Sequence, residues 1–340
     1  FTNATGIKTE QKENSTELSG FLRYKIKTQK LIVDPGIRIY KYNSLGATFE
    51  PRLGAKFLAT DNLRLKLAAG RYSQNLVSTN SDQDVVNLFY GFLSAPDNLP
   101  DEFKGEEVVN GLQLANHLIL GLEYDISSKI DFNIEGYIKD FTQLTNINKE
   151  KLTLTDPDFI IEEGLAKGVD LVLKYNDPKF YFWLVYSLGY ITRNGEYIEY
   201  NPHFDRRHNI NLVSTYKFGA EKNWSFDTRW NIGSGFPFTQ TQGFYPSLDF
   251  SDGINTNYIS ESGDLGIIYA GLNQGRLPWY HRLDIALKKQ KKLSKYSTFE
   301  WNVGVTNVYN RENIFYFNRI EYKRVNQLPF MPSVGLSLTF

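Results

Sequence analysis

Apolar and polar residues alternate with a period of two along most of this chain, the spacing of strands whose two faces meet different surroundings. Between Thr16 and Thr28, Leu18, Leu22, Tyr24 and Ile26 oppose Ser19, Arg23, Lys25 and Lys27. Further on, Trp224, Phe226, Trp230 and Ile232 oppose Ser225, Asp227, Arg229 and Asn231. The closing stretch PSVGLSLTF puts Val334, Leu336, Leu338 and Phe340 on one face and Ser333, Gly335, Ser337 and Thr339 on the other. Chain ends are ordinarily solvated and frayed. An alternation carried to an aromatic final residue therefore predicts a strand with one face against lipid.

Strands are predicted at 16–28, 30–42, 46–58, 61–74, 112–126, 129–143, 164–176, 179–194, 205–218, 222–238, 279–291, 296–309, 313–325 and 330–340. Tight connections such as Ala59-Thr60-Asp61-Asn62, Ser127-Ser128-Lys129 and Asn176-Asp177-Pro178 alternate with long ones. In a soluble sandwich the charged strand faces would look outward; in a membrane barrel they line a wet lumen, with short turns on the periplasmic side and long loops outside.

Parity refines the barrel reading. If the last strand descends to the periplasm, Asn310-Arg311-Glu312 is a periplasmic turn and the lysine run near 292 is external. Fourteen strands would then place 239–278 on the periplasmic side, so one more strand is expected inside it, at Gly263 to Asn273, with Gly275-Arg276-Leu277-Pro278 as a periplasmic turn. The predicted fold class is thus all-β, an antiparallel transmembrane β-barrel of about 15 strands. Residues 1–340 form a single partial barrel domain with external loops at about 75–111, 144–163, 195–204 and 239–262. Single-chain bacterial barrels have even strand numbers, so an odd count predicts that the first strand starts from an external loop.

Composition narrows the classes. The chain of 340 residues has 24 Phe, 22 Tyr and 5 Trp, yet no run of about 18 apolar residues that a membrane-spanning helix needs. The longest apolar stretch, Phe180 to Tyr186, is strand-sized. With no cysteine, disulfides and thiolate chemistry are excluded. The 38 basic and 38 acidic side chains cancel, which leaves no electrostatic case for a nucleic-acid partner.

Candidate chemistry is sparse. His203, Asp205 and His208 are metal-ligand types, but on a strand 203 and 205 share a face that 208 does not; the alternative is that Asp205 pairs with Arg206, Arg207 or a neighbouring strand. No metal site is assigned. Phe236, Phe238, Phe244, Tyr245 and Tyr258 could cap an apolar or sugar ligand by ring contact, or form the aromatic belt that barrels carry at the membrane interface. Lys288, Lys289, Lys291 and Lys292, placed by parity at the outer rim, are candidate contacts for lipopolysaccharide phosphates. No serine sits in a G-x-S-x-G elbow and the four histidines are scattered, so no catalytic residue is assigned.

Several segments together resemble the C-terminal part of a TonB-dependent outer-membrane receptor: PRLGAKFLATDNLRLKLAAGRY at 51–72, GLAKGVDLVLKY at 164–175, HFDRRHNINLVSTYKF at 203–218, RLPWYHRLDIALKK at 276–289, NVYNRENIFYF at 307–317 and the terminal strand. The resemblance implies a barrel of about 22 strands around a plug, with the plug and the TonB-binding segment outside this sequence. It implies outer-membrane localisation and energy-coupled uptake of a bulky nutrient of the siderophore, cobalamin or glycan class. Barrel residues would guide the ligand and react with nothing, and no cofactor is implied. The partners it implies are outer-membrane lipid and lipopolysaccharide, TonB through the missing N-terminal part, the barrel-assembly machinery and a surface lipoprotein. Val334, Leu336, Leu338 and Phe340 would form the assembly signal. The other readings are a passive porin-like barrel and a soluble all-β ligand- or carbohydrate-binding domain.

Overall fold

The computed structural model describes residues 16–42, 47–78, 92–94, 98–109, 111–148, 155–247, 264–319 and 323–340, with the single residues 151, 153 and 321. Every regular element among them is a strand, and one antiparallel sheet of fifteen strands dominates. Thirteen long strands follow one another in chain order: β1 (Glu17–Arg23), β2 (Leu31–Tyr42), β3 (Ala47–Leu58), β4 (Leu63–Gln74), β5 (Gln113–Ser127), β6 (Ile130–Ile147), β7 (Phe159–Asn176), β8 (Phe180–Asn194), β9 (His208–Phe218), β10 (Trp224–Gly233), β11 (Tyr280–Lys292), β12 (Thr298–Thr306) and β13 (Met331–Thr339). Two short segments complete the sheet: Ile26–Lys27 continues β1 along β2, and Glu199–Tyr200 pairs with the end of β8.

The connections sort by end. At one end lie the turns 28–30, 59–62, 128–129, 177–179, 219–223 and 293–297, together with the end of β13. At the other lie 43–46, 75–112, 148–158, 195–207, 234–279 and 307–330. All the long connections therefore share one end.

Register separates the faces. Ile39 faces Phe49, Leu120 faces Leu67 and Gly136, Tyr186 faces Leu171 and Ile210, and Leu336 faces Trp301. Large apolar side chains on this face are open: Phe49, Leu120, Tyr216 and Leu336 are each at least half exposed. Singly exposed apolar residues are ordinary, but a face of them across the whole sheet is far beyond what a soluble monomer presents. The opposite face is polar and crowded. A Cβ added at Gly121 there would meet Lys66 Cε at 3.0 Å and Glu135 Cγ at 3.1 Å, whereas one at Gly136 on the apolar face would meet a single atom at 4.0 Å. Side chains converge on the polar face and diverge on the apolar one, as the concave and convex sides of a curved sheet do.

Aromatic rings band the apolar face at two levels. Near the short turns run Tyr175, Phe180 and Phe182, then Tyr216, Phe218, Trp224 and Trp301, with neighbouring centroids 5.3–6.3 Å apart. Near the long connections, His208 stacks between Tyr186 and Trp279, and Trp230 donates to the Tyr309 hydroxyl at 3.3 Å. From Phe180 to Tyr190 along β8 is about 33 Å at 3.3 Å per residue. A tilt of about 40° reduces that to about 25 Å, the height of an outer-membrane barrel's apolar band.

Four expectations are corrected. The segment expected as one strand at 313–325 is instead a hairpin, Ile314–Asn318 against Lys323–Asn326, off the main sheet. The strand expected at 263–273 is Asp264–Tyr269, also off the sheet and paired with Thr241–Ser247. The sheet's fifteen strands thus have a different membership from the one expected. Both surplus segments had inverted the ends between them: Asn310-Arg311-Glu312 and Gly275-Arg276-Leu277-Pro278 belong to the long-connection end, and Lys288, Lys289, Lys291 and Lys292 lie beside the short turn 293–297. These lysines thus lie at the end opposite the long connections, not at the rim where the lipopolysaccharide contact was expected. Finally, the expected loop 144–163 shrinks to 148–158, because Leu144 pairs with Glu162 and Ile147 with Phe159.

Candidate functional site

Charges on the polar face are paired according to strand register. Toward the short turns, Glu123 receives Lys56 at 2.7 Å and both Arg64 and Lys66 at 3.0 Å; Arg64 also reaches Asp125 and Lys66 reaches Glu135. Toward the long connections, the fully buried Glu50 accepts from Arg52 at 2.7 Å, from Arg38 at 3.4 Å and from the Ser73 hydroxyl. Buried carboxylates persist only when paired in this way.

Nearer the long connections the pairing changes character, and cations lie on aromatic rings. Arg38 sits 4.5 Å from the Tyr40 centroid, Arg52 4.5 Å from Tyr72, Lys139 5.3 Å from Tyr137, and Arg193 5.8 Å from Phe141 and 5.9 Å from Phe204. Arg206 lies 4.1 Å from Phe236 and 5.4 Å from Tyr280. Ring quadrupoles hold a cation without neutralising it; Arg38 and Arg52 share the single carboxylate of Glu50, so that pair keeps one net positive charge, and Lys139 and Arg206 add theirs. Burial lowers the Arg206 pKa from its ordinary value, and the guanidinium Nε has no partner among the described residues. Room for Arg206 comes from Gly233, where a Cβ would approach the guanidinium to 2.6 Å.

Beside Arg206, a buried carboxylate ties two connections to each other and to β8. Asp205, with no exposure, accepts from Arg276 Nη2 at 2.6 Å and from the Ile191 amide at 3.0 Å, and is ion-paired with Arg207 Nε at 3.2 Å. Arg276 also donates to the Asp205 and Gly235 carbonyls. Asn273 donates to the Asn201 carbonyl at 2.9 Å, while Arg319 donates to Thr241 Oγ1 at 2.7 Å and the Thr239 carbonyl at 2.5 Å. Connections 195–207 and 234–279 are thus cross-linked at their bases, and the hairpin of 307–330 reaches the second of them through Arg319.

The candidate aromatics are dispersed. Phe236 belongs to the belt through Arg206, whereas Phe238 packs against Phe317 at 5.7 Å. Phe244 and Tyr245 sit on the off-sheet hairpin, Tyr245 half exposed, and Tyr258 lies outside the described residues. Asp205 is salt-bridged to Arg207 and Arg276; His208 turns to the apolar face, its Nδ1 3.0 Å from the Tyr186 hydroxyl, and His203 packs edge-on to Phe204. Val334, Leu336, Leu338 and Phe340 are all exposed. Sequence reasoning missed Lys139, Arg193 and Arg206 as belt members. Their one signal is a cation placed among aromatics on the polar parity of a strand, which becomes distinctive only when register brings Phe141, Arg193 and Phe204 together.

No protein-family model matches the chain, and no curated protein matches it in sequence. The architecture does match: the chain has the fold of the barrels of TonB-dependent outer-membrane receptors. Among solved structures, it is similar to the ferripyoverdine receptor of the outer membrane of Pseudomonas aeruginosa (TM-score 0.61, 11% identity), covering 95% of this chain and 38% of that one. It is likewise similar to the ferric citrate transporter (TM-score 0.61, 12% identity, 96% and 45%) and to the ferric yersiniabactin uptake receptor of Yersinia pestis (TM-score 0.57, 11% identity, 95% and 45%). The chain thus spans less than half the length of these receptors.

Proposed function

We propose that this chain is part of the barrel wall of an outer-membrane receptor that takes up a bulky nutrient by energy-coupled import, and that it is not an enzyme. The observation that carries the reading is the sheet itself: apolar on one face between two aromatic bands, charged and crowded on the other, with its long connections gathered at one end. Strands in lipid must satisfy their backbone groups laterally, and the meander does so for every long strand but the two at its edges, β1 and β13.

Of the three nutrient classes, an anionic metal chelate fits best. The belt of Lys139, Arg193 and Arg206 on aromatic rings, with Arg38 and Arg52 sharing the one carboxylate of Glu50, offers net positive charge with flat apolar surface, as a chelate with aromatic or carboxylate arms requires. The named neighbours' ligands, ferripyoverdine, ferric citrate and ferric yersiniabactin, belong to that class. In this scheme the loops capture the ligand, the belt holds it, and a plug drawn by TonB opens the path. The exposed end of β13, through Phe340, would be read by the assembly machinery.

The test is uptake of labelled ferric chelates, cobalamin and oligosaccharides by cells carrying the whole receptor gene, with and without the membrane proton gradient. Gradient-dependent uptake of a ferric chelate, reduced by Arg206→Ala, is expected. Uptake indifferent to the gradient would establish a passive pore instead.

A further inference from the structure

The lysines beside the short turn 293–297 divide between the faces. Lys288 is on the polar face, 2.8 Å from Asp227. Lys289 and Lys291 are on the apolar face: Lys289 is in register with Trp224 and Trp301, and Lys291 with Phe299. The Lys289 ammonium lies 4.6 Å from the Trp224 centroid, and Trp224 meets Trp301 edge-on at 5.3 Å. Among the described residues, no carboxylate is paired with Lys289 or Lys291. Two ammonium groups thus stand in the lower aromatic band with apolar side chains around them, on the face turned to lipid and at the end opposite the long loops.

A bare charge in hydrocarbon is costly, and a lysine stem relieves that cost by carrying its ammonium to the headgroup level. Trp224, Phe299 and Trp301 mark that level, since aromatic belts sit where apolar chains meet headgroups. What the ammonium groups meet there is phosphate. We propose that Lys289 and Lys291, framed by Trp224, Phe299 and Trp301, bind the phosphate of an anionic phospholipid in the leaflet next to the short turns. Charge complementarity supports that occupant: the adjoining turn 293–297 adds Lys295 with no acidic residue, while in the next turns Lys222 and Lys179 balance Glu221 and Asp177, so the local charge stays positive and would favour an anionic over a zwitterionic headgroup. The inference rests on the membrane reading given above, and its test separates the two.

The full chain is reconstituted in phosphatidylcholine vesicles doped with brominated phosphatidylglycerol or, separately, brominated phosphatidylcholine, and tryptophan quenching is followed against mole fraction. The expected result is a preference for phosphatidylglycerol of about fivefold or more, the size a single interfacial lysine confers. It should be lost in Lys289→Gln/Lys291→Gln and kept in Lys288→Gln/Lys292→Gln, which removes the same charge from the polar face. Equal quenching by the two lipids would overturn the site while leaving the membrane reading intact, and equal loss in both double variants would reduce it to general rim charge. Competition by inorganic phosphate at millimolar concentration would replace the lipid site with a free-anion site. Absence of quenching by either lipid would refute the membrane reading itself.

Discussion

Asp205→Ala should loosen the bases of two connections, 195–207 and 234–279, and the end of β8 between them, while leaving the sheet intact. The variant removes the acceptor of the Ile191 amide and the counter-charge of Arg207 and Arg276. Losing the amide's partner costs about 1 kcal/mol. Breaking a fully buried ion pair costs about 3–5 kcal/mol, but the arginine side chains are 23% and 34% exposed and can turn to water, so a smaller loss of about 1–2 kcal/mol applies here. The total of about 2–3 kcal/mol corresponds to roughly 30- to 140-fold more frequent local opening. Hydrogen exchange measured by mass spectrometry on the detergent-solubilised chain reads this directly: peptides spanning 188–195, 235–241 and 270–277 should exchange faster by that factor. Peptides in β5 and β6 should not change. Asp205→Asn keeps an acceptor for Ile191 and should fall between the two. Unchanged exchange at 188–195 in Asp205→Ala, or a uniform rise that includes β5, would refute the clamp.

Three further outcomes test the faces and the turns. Leu120→Arg, in mid-strand on the apolar face, should destabilise the vesicle-inserted protein by about 2–4 kcal/mol in denaturant unfolding; a loss under about 0.5 kcal/mol, ordinary for a water-exposed site, would contradict contact with lipid. Gly168→Ala would press on the Leu188 carbonyl oxygen and come within 2.6 Å of the Tyr137 hydroxyl, at a cost of about 1–3 kcal/mol, whereas Gly136→Ala, with its nearest atom at 4.0 Å, should be neutral or better; equal effects would deny that the polar side is the crowded one. In the short turns, Lys129 donates to Asp177 and holds its pKa below 3.8, helped by the Lys179 amide. This pair's carboxylate contribution is present above pH 3.8 and fades as pH falls through the lowered value. A carbon-detected NMR titration should place the Asp177 midpoint below 3.8, and Lys129→Ala should move it upward; no movement would remove Lys129 as the cause.

Period-two alternation made most of the sheet legible, because a one-residue slip would move every apolar side chain to the other face. Strands such as β10 and β13 therefore announce both their existence and their faces. The belt was less legible, since no local stretch contains it: Tyr72, Phe141, Arg193 and the pair Phe204 and Arg206 come from four separated places in the chain. What unites them is pairing between strands, which alternation leaves undetermined.

Sidedness failed for a related reason. The segment NIFYFNRIEYKRVN has apolar residues at strand spacing and neither glycine nor proline to mark a turn, so one strand and a folded-back hairpin produce the same pattern. Counting it as one strand reversed the end of everything immediately before it, and placing a second strand at 263–273 reversed the count back. Two errors of equal parity thus left the relative ends of the other connections unchanged and inverted only the stretch between them, which includes the lysines of β11. The structural correction moves those lysines from the loop end to the short-turn end, where their neighbours are Trp224, Phe299 and Trp301. It is that setting, and not the charge of the run, that distinguishes Lys289 and Lys291 from Lys288 and Lys292.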